Sequence, residues 1–110
     1  MATEPSRVQL LTVRDIPAAL SASVERGGLM LDENHLGADF FDLRTGLAGE
    51  VLQKFTNYRA RLAIVVADAS AYGGRFRELV HEHRMHATVR FFSSGQLARQ
   101  WLAYSPVAKC

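Results

Sequence analysis

The 110-residue chain has little cysteine, no long apolar run and little net charge. Its single cysteine, Cys110, is the last residue, which excludes a disulfide framework and a cysteine-based metal site. No stretch of about eighteen apolar residues occurs, and no basic region leads into an apolar segment near the start, so we expect neither a membrane span nor a secretory signal. The expected location is therefore the cytoplasm.

Motifs for nucleic acids, phosphates and metals are also missing. A formal net charge of +2 is too small to indicate a nucleic-acid binder, although the sequence pI is about 9.0. Gly73 and Gly74 are not followed by the Lys-Ser or Lys-Thr of a phosphate loop, so no cofactor is expected. His81, His83 and His86 do not share one helical face, and we expect no metal site.

The charges that are present are segregated along the chain. Residues 32–50 carry five acids and one base, whereas residues 51–110 carry three acids and nine bases. The acids of the first segment are Asp32, Glu33, Asp39, Asp42 and Glu50, and Arg44 is its base. Charge runs usually face water, so an ordinary solvated loop and helix start is one interpretation; a recognition surface of one sign is the other.

Hydrophobic periodicity predicts four β-strands that alternate with helices. Apolar runs typical of buried strands occupy residues 8–13, 29–31, 62–67 and 88–92. Helical spacing follows each of them, so we expect an α/β fold: a small, mainly parallel or mixed, four-stranded sheet with helices packed on it. Residues 1–110 are expected to form a single domain, frayed over residues 1–6 and 105–110.

The strongest predicted helix begins after Thr45, whose hydroxyl could cap a first-turn backbone N–H. Its apolar stripe runs through residues 47, 48, 51, 52, 55 and 58. Phe40 and Phe41 precede it in a connection that we predict to be extended or a single turn that buries one or both rings. Similar stripes predict that Val24 and Leu97 face the core from the first and last helices, and that Ser93 caps the last one.

Parallel strands would bring polar residues to one edge of the sheet. In open α/β sheets, ligands bind at the carboxyl ends of the strands, beside the starts of the following helices. The residues in such positions are Asp32, Thr45, Asp68, Ser70, Ser93 and Ser94. The plain alternative is that Thr45 and the serines only cap helices.

Residues 31–65 carry a resemblance to a known family. The segments LDEN, FFDLRTGLAGEVLQKF and TNYRARLAIV closely resemble the signature of small bacterial proteins catalogued only as a domain of unknown function. With the last strand and the tryptophan-bearing helix, the resemblance covers nearly the whole chain. It implies no activity.

The order of elements is also similar to that of STAS domains, which occur in anti-sigma-factor antagonists and sulphate-transporter tails. The corresponding residues are Asp32, Phe41-Asp42, Thr45-Gly46-Leu47, the strand near Ile64 and the segment 91–102. In STAS domains, the Ser or Thr before Gly-Leu is a phosphorylated switch. The resemblance therefore implies that Thr45 is such a switch.

We expect a non-enzymatic, cytoplasmic regulatory or protein-interaction module that contacts another protein, and neither nucleic acid nor membrane. Its contact face would hold Thr45 with Asp32, Glu33, Asp42, Gly46, Glu50, Asp68 and Ser70. The alternative is a small-ligand-binding protein or enzyme whose site at the strand ends is formed by Asp32, Asp42, Thr45 and Asp68. Homo-oligomerisation through an edge strand or the Phe40-Phe41 segment is compatible with either.

Overall fold

Three short parallel strands form the centre of the computed structural model, which describes residues 8–103. They are β1 (Leu29–Asp32), β2 (Leu62–Val65) and β3 (Val89–Phe92), in the spatial order β1-β2-β3. Leu29, Leu62 and Val89 lie side by side, and the three strands end in register. This register brings the connections that follow β1 and β2 to the same edge of the sheet.

Five α-helices within the described residues surround the sheet. They are α1 (Ile16–Arg26), α2 (Ala38–Phe41), α3 (Leu47–Asn57), α4 (Gly74–Glu82) and α5 (Gly95–Ala103). Helices α2 and α3 connect β1 to β2, and α4 connects β2 to β3. The fold is therefore α/β with a parallel sheet, as the alternating pattern predicts.

The predicted first strand, residues 8–13, is wrong, and the sheet has three strands instead of four. Only Leu10 pairs, as an isolated parallel bridge to Leu36. The backbone N–H groups of Leu11 and Thr12 donate to the Asp15 carboxylate at 2.8 and 3.0 Å, and a 3-10 turn follows. Because these N–H groups bond to a side chain, they are not available for a strand ladder.

The main core lies on one face of the sheet. Alternate strand residues, among them Leu31, Ile64 and Phe91, point into it with buried residues of α1, α3 and α4. The opposite face is covered by α5, where the Trp101 ring lies 5.7 Å from that of Phe92. Helices thus cover both faces of the sheet, as is usual for parallel strands, although most strand residues on the α5 face are only half-buried.

Some apolar residues lie outside the core, contrary to their helical spacing. Val24, Tyr58 and Leu97 are 67%, 66% and 48% exposed. In α1 the buried face is displaced toward small residues, and Ser23 is fully buried with its hydroxyl donating to the Arg61 carbonyl at 2.7 Å. A satisfied buried hydroxyl lets the helix pack closely, which periodicity alone does not reveal.

The fraying predicted for residues 1–6 and 105–110 lies outside the described residues. Within residues 8–103, none of the helices combines the length and the apolar character needed to cross a bilayer.

Gly28 tests the packing of α5, and Gly49 in α3 serves as a comparison. At Gly28, φ is +149°, and an added Cβ would lie 2.8 Å from Cδ2 of Leu102, so Gly28→Ala should lower the free energy of unfolding by about 1–3 kcal/mol. Gly49 in α3 has no atom within 4 Å of an added Cβ, and Gly49→Ala should raise it by about 0.5–1 kcal/mol. Urea unfolding measures both. A Gly28→Ala variant as stable as wild type would contradict this packing.

Candidate functional site

An open groove of about 850 Å³ lies where the segments after β1 and β2 meet. Helix α2 with its following 3-10 turn (Leu43–Thr45) forms one side, and a second 3-10 turn (Ala69–Tyr72) with the start of α4 forms the other. Its lining residues are Ala38, Phe41, Asp42, Leu43, Arg44, Tyr72, Gly73, Gly74, Arg75 and Phe76. We call this feature the aromatic groove.

Three aromatic rings give the groove its apolar wall. The rings of Phe41 and Tyr72 stack with centroids 3.9 Å apart and planes 11° apart. Phe76 meets Phe41 edge-on at 5.1 Å, and behind them it meets Phe91 of β3 at 5.8 Å. Because Phe76 is buried and contacts the sheet, it fixes the position of the two outer rings.

A hydrogen bond between two loops holds the wall in place. The Tyr72 hydroxyl donates to Oε2 of Glu33, the residue directly after β1. Oε1 of the same carboxylate accepts the Ala67 N–H at 3.5 Å. The hydrogen bond to Glu33, followed by burial, raises the pKa of Tyr72 above its ordinary value.

Two arginines lie at the rim of the groove, and they differ in their partners. Arg44 donates from Nε and Nη2 to the two carboxylate oxygens of Asp42 at 3.0 and 3.1 Å, which lowers the pKa of Asp42. Arg75 is exposed. Across residues 8–103 its guanidinium forms no hydrogen bond or ion pair with another residue. The charge of Arg75 is thus not neutralised by a neighbouring residue.

Thr45 lies beside the groove but is not part of its lining. Its exposed side-chain hydroxyl lies 2.6 Å from the Asp39 carbonyl and 2.9 Å from the Asp42 carbonyl, and it accepts the Leu47 N–H at 3.2 Å. The N-cap of α3 is Gly46, with φ of +84°, so the predicted Thr45 cap is displaced by one residue. The hydroxyl still satisfies a first-turn N–H, as predicted.

Of the four residues predicted to form a site, Thr45 and Asp42 lie together through the hydrogen bond from the Thr45 hydroxyl to the Asp42 carbonyl, whereas the Asp32 and Asp68 carboxylates each bond to a residue two positions along the chain. Asp32 accepts the Asn34 N–H at 2.9 Å, and Asp68 accepts both the N–H and the hydroxyl of Ser70 at 3.1 and 2.6 Å. The hydrogen bond from the Ser70 hydroxyl is the main cause that lowers the pKa of Asp68 below its ordinary value. Of the four, Asp42 alone lines the groove.

The remaining predicted residues also have local roles. Glu50 pairs with Lys54 at 3.8 Å, one helical turn away. At α5, Ser94 and not Ser93 accepts the Leu97 N–H, at 3.3 Å. Within the described part of the chain, no three His, Cys, Asp or Glu residues are grouped so that they could hold a metal ion.

Tyr72, Arg75 and Phe76 are the groove residues that sequence reasoning missed. Gly73 and Gly74 fail as a phosphate loop, and the sequence pattern assigns no ligand-binding role to the residues on either side of them. The useful signal is an aromatic residue and a glycine pair in the connection between the central strand and the next helix, at the edge where α/β sheets bind ligands.

Comparison with known proteins shows the family to which the chain belongs. The model of a family described as Domain of unknown function (DUF4180) matches residues 3–102. No curated protein and no solved structure matches the chain. The similarity to STAS domains therefore has no support from these comparisons.

The Tyr72 hydroxyl can be tested with Tyr72→Phe, which keeps the ring and removes the hydrogen bond to Glu33. At neutral pH we expect wild type to be more stable by about 1 kcal/mol. Because the folded-state pKa of Tyr72 is raised above the unfolded value near 10, this advantage should disappear as the pH rises through the folded-state pKa. Urea unfolding of both proteins from neutral to alkaline pH measures it. A constant difference across that range would contradict the assignment.

Proposed function

Since the chain belongs to the DUF4180 family, a domain of unknown function that brings no activity with it, we propose that the protein is a non-enzymatic module that binds a small ligand in the aromatic groove. The observation that carries the proposal is the groove itself. Its volume of about 850 Å³ falls in the range usual for ligand pockets, and its wall is mainly aromatic. It also occupies the edge of the sheet at which open α/β folds bind ligands.

The polar groups of the groove favour binding over catalysis. Arg44 lowers the pKa of Asp42 and the hydrogen bond to Glu33 raises the pKa of Tyr72, so both pKa values move away from neutral pH. A general base needs a free acceptor near its substrate, and a general acid needs a pKa close to the working pH. These paired groups have neither property, whereas they do keep the aromatic wall and rim rigid.

A larger side chain in the groove should weaken the binding of a neutral apolar probe. Gly74 lines the groove, and an added Cβ there meets no atom within 4 Å, so Gly74→Leu places a side chain in open space at the site. We expect N-phenylnaphthylamine, a neutral fluorophore, to bind wild type with enhanced fluorescence. Gly74→Leu should weaken that binding by about tenfold or more, because a leucine occupies volume that the probe needs.

Gly49→Leu is the matched control, because Gly49 is also helical and open but lies in α3, away from the groove. It should bind the probe as wild type does. Fluorescence titration gives the affinities, and thermal unfolding shows that each variant is folded. Equal binding by wild type and both variants would place the probe elsewhere and contradict the proposed function.

The position of Thr45 supports a second proposal, in which phosphorylation regulates the module and its contact with a partner protein. Its hydroxyl is exposed and lies one residue from Arg44 of the groove. A phosphate there would add about −1.5 to −2 charges and remove the hydroxyl proton that bonds to the Asp39 or Asp42 carbonyl. The connection that carries Leu43 and Arg44 would then rearrange.

Mass spectrometry of the protein recovered from its own cells tests this regulation. We expect a phosphate on Thr45 in at least one growth condition. Ser70, which is also exposed but bonded to Asp68, serves as an internal comparison within the same digest. Thr45 found unmodified in every condition would contradict the proposal.

A further inference from the structure

We infer that the occupant of the aromatic groove is an aromatic organic anion, that is, a planar apolar ring system that carries one negatively charged group. This inference rests on the proposed function and deepens it, because it specifies the chemical class of the ligand. It is carried by the combination of the ring wall with a cation that has no partner in the described chain.

The wall suits a planar ring. Phe41 and Tyr72 stack almost in parallel and are half-buried, so both keep accessible ring surface at the groove, whereas Phe76 lies buried behind them. Aromatic rings pair favourably in offset-stacked or edge-to-face arrangements. A flat ligand ring can extend this cluster without displacing one of its members, because the groove is open beside it.

The charges at the groove favour an anion. Its charged lining residues are Asp42, Arg44 and Arg75. Asp42 and Arg44 neutralise each other through two hydrogen bonds, which leaves the positive charge of Arg75. Glu78, one helical turn after Arg75, is the nearest acidic residue along α4, and no ion pair joins these two side chains in the described chain. A carboxylate, sulfonate or phosphate on the ligand would supply the missing partner.

Two fluorophores with the same rings separate the contribution of charge. Anilinonaphthalene sulfonate is an anion, and N-phenylnaphthylamine is its neutral counterpart. We expect wild type to bind the sulfonate about fivefold more tightly at low salt, which is the upper range for an exposed ion pair. High salt should reduce this preference, because it screens charges at the surface.

Arg75→Gln should remove the preference for the sulfonate, so that the ratio of the two affinities falls from about fivefold to about one. Arg77→Gln is the matched control, since Arg77 is an exposed arginine of the same helix that does not line the groove. Asp42→Asn should have the opposite effect, with severalfold tighter sulfonate binding. The asparagine oxygen can still accept the Arg44 N–H, while the Arg44 guanidinium loses its anionic partner.

The outcomes separate this inference from the proposed function. A sulfonate preference that Arg75→Gln removes and Arg77→Gln retains supports the inference. If wild type binds the two probes equally and Gly74→Leu binds neither, the inference that the ligand is an anion is overturned. The groove then remains a ligand site. Binding of both probes that Gly74→Leu does not weaken overturns the proposed function, and the inference with it.

Discussion

The hydrogen bond from Tyr72 to Glu33 is the constraint on which the candidate site depends. Glu33 follows β1 and Tyr72 lies in the turn after β2, so the bond joins the segments that leave two neighbouring parallel strands. Register in the sheet brings these segments to one edge, and the bond then fixes the ring that stacks on Phe41. Phe76 positions the Tyr72 ring from behind, and the bond adds a second restraint from the segment after β1.

Local pairing determines what the acidic segment 32–50 presents to solvent. Glu33 bonds to Tyr72, Asp42 to Arg44, and Glu50 to Lys54. The count of charges along the sequence suggests a surface of one sign. In the structure, however, these three acidic side chains each bond to a different partner, so they do not form one acidic surface. The charge balance of the groove is consequently set by one arginine from a different part of the chain.

Predictions from sequence succeed where one local pattern governs the structure. The apolar run at β2 and the stripe of α3 each require only burial of a contiguous segment. The strand expected at residues 8–13 is absent because the Asp15 carboxylate takes backbone donors, a competition that hydrophobicity does not register. The edge holding the site follows from strand polarity, but the Phe41–Tyr72 stack joins distant residues and follows only from the tertiary register.

The position of α5 on the second face of the sheet has a consequence for the order in which the chain folds. The Arg61 side chain donates to the Trp101 and Leu102 carbonyls at the end of α5, so this helix is anchored to residues made much earlier. In chain order, β1, β2 and β3 precede α5. Until α5 packs, Ala63 and Phe92 lack its cover, and a folding intermediate without this helix exposes an apolar sheet face of the kind that promotes aggregation.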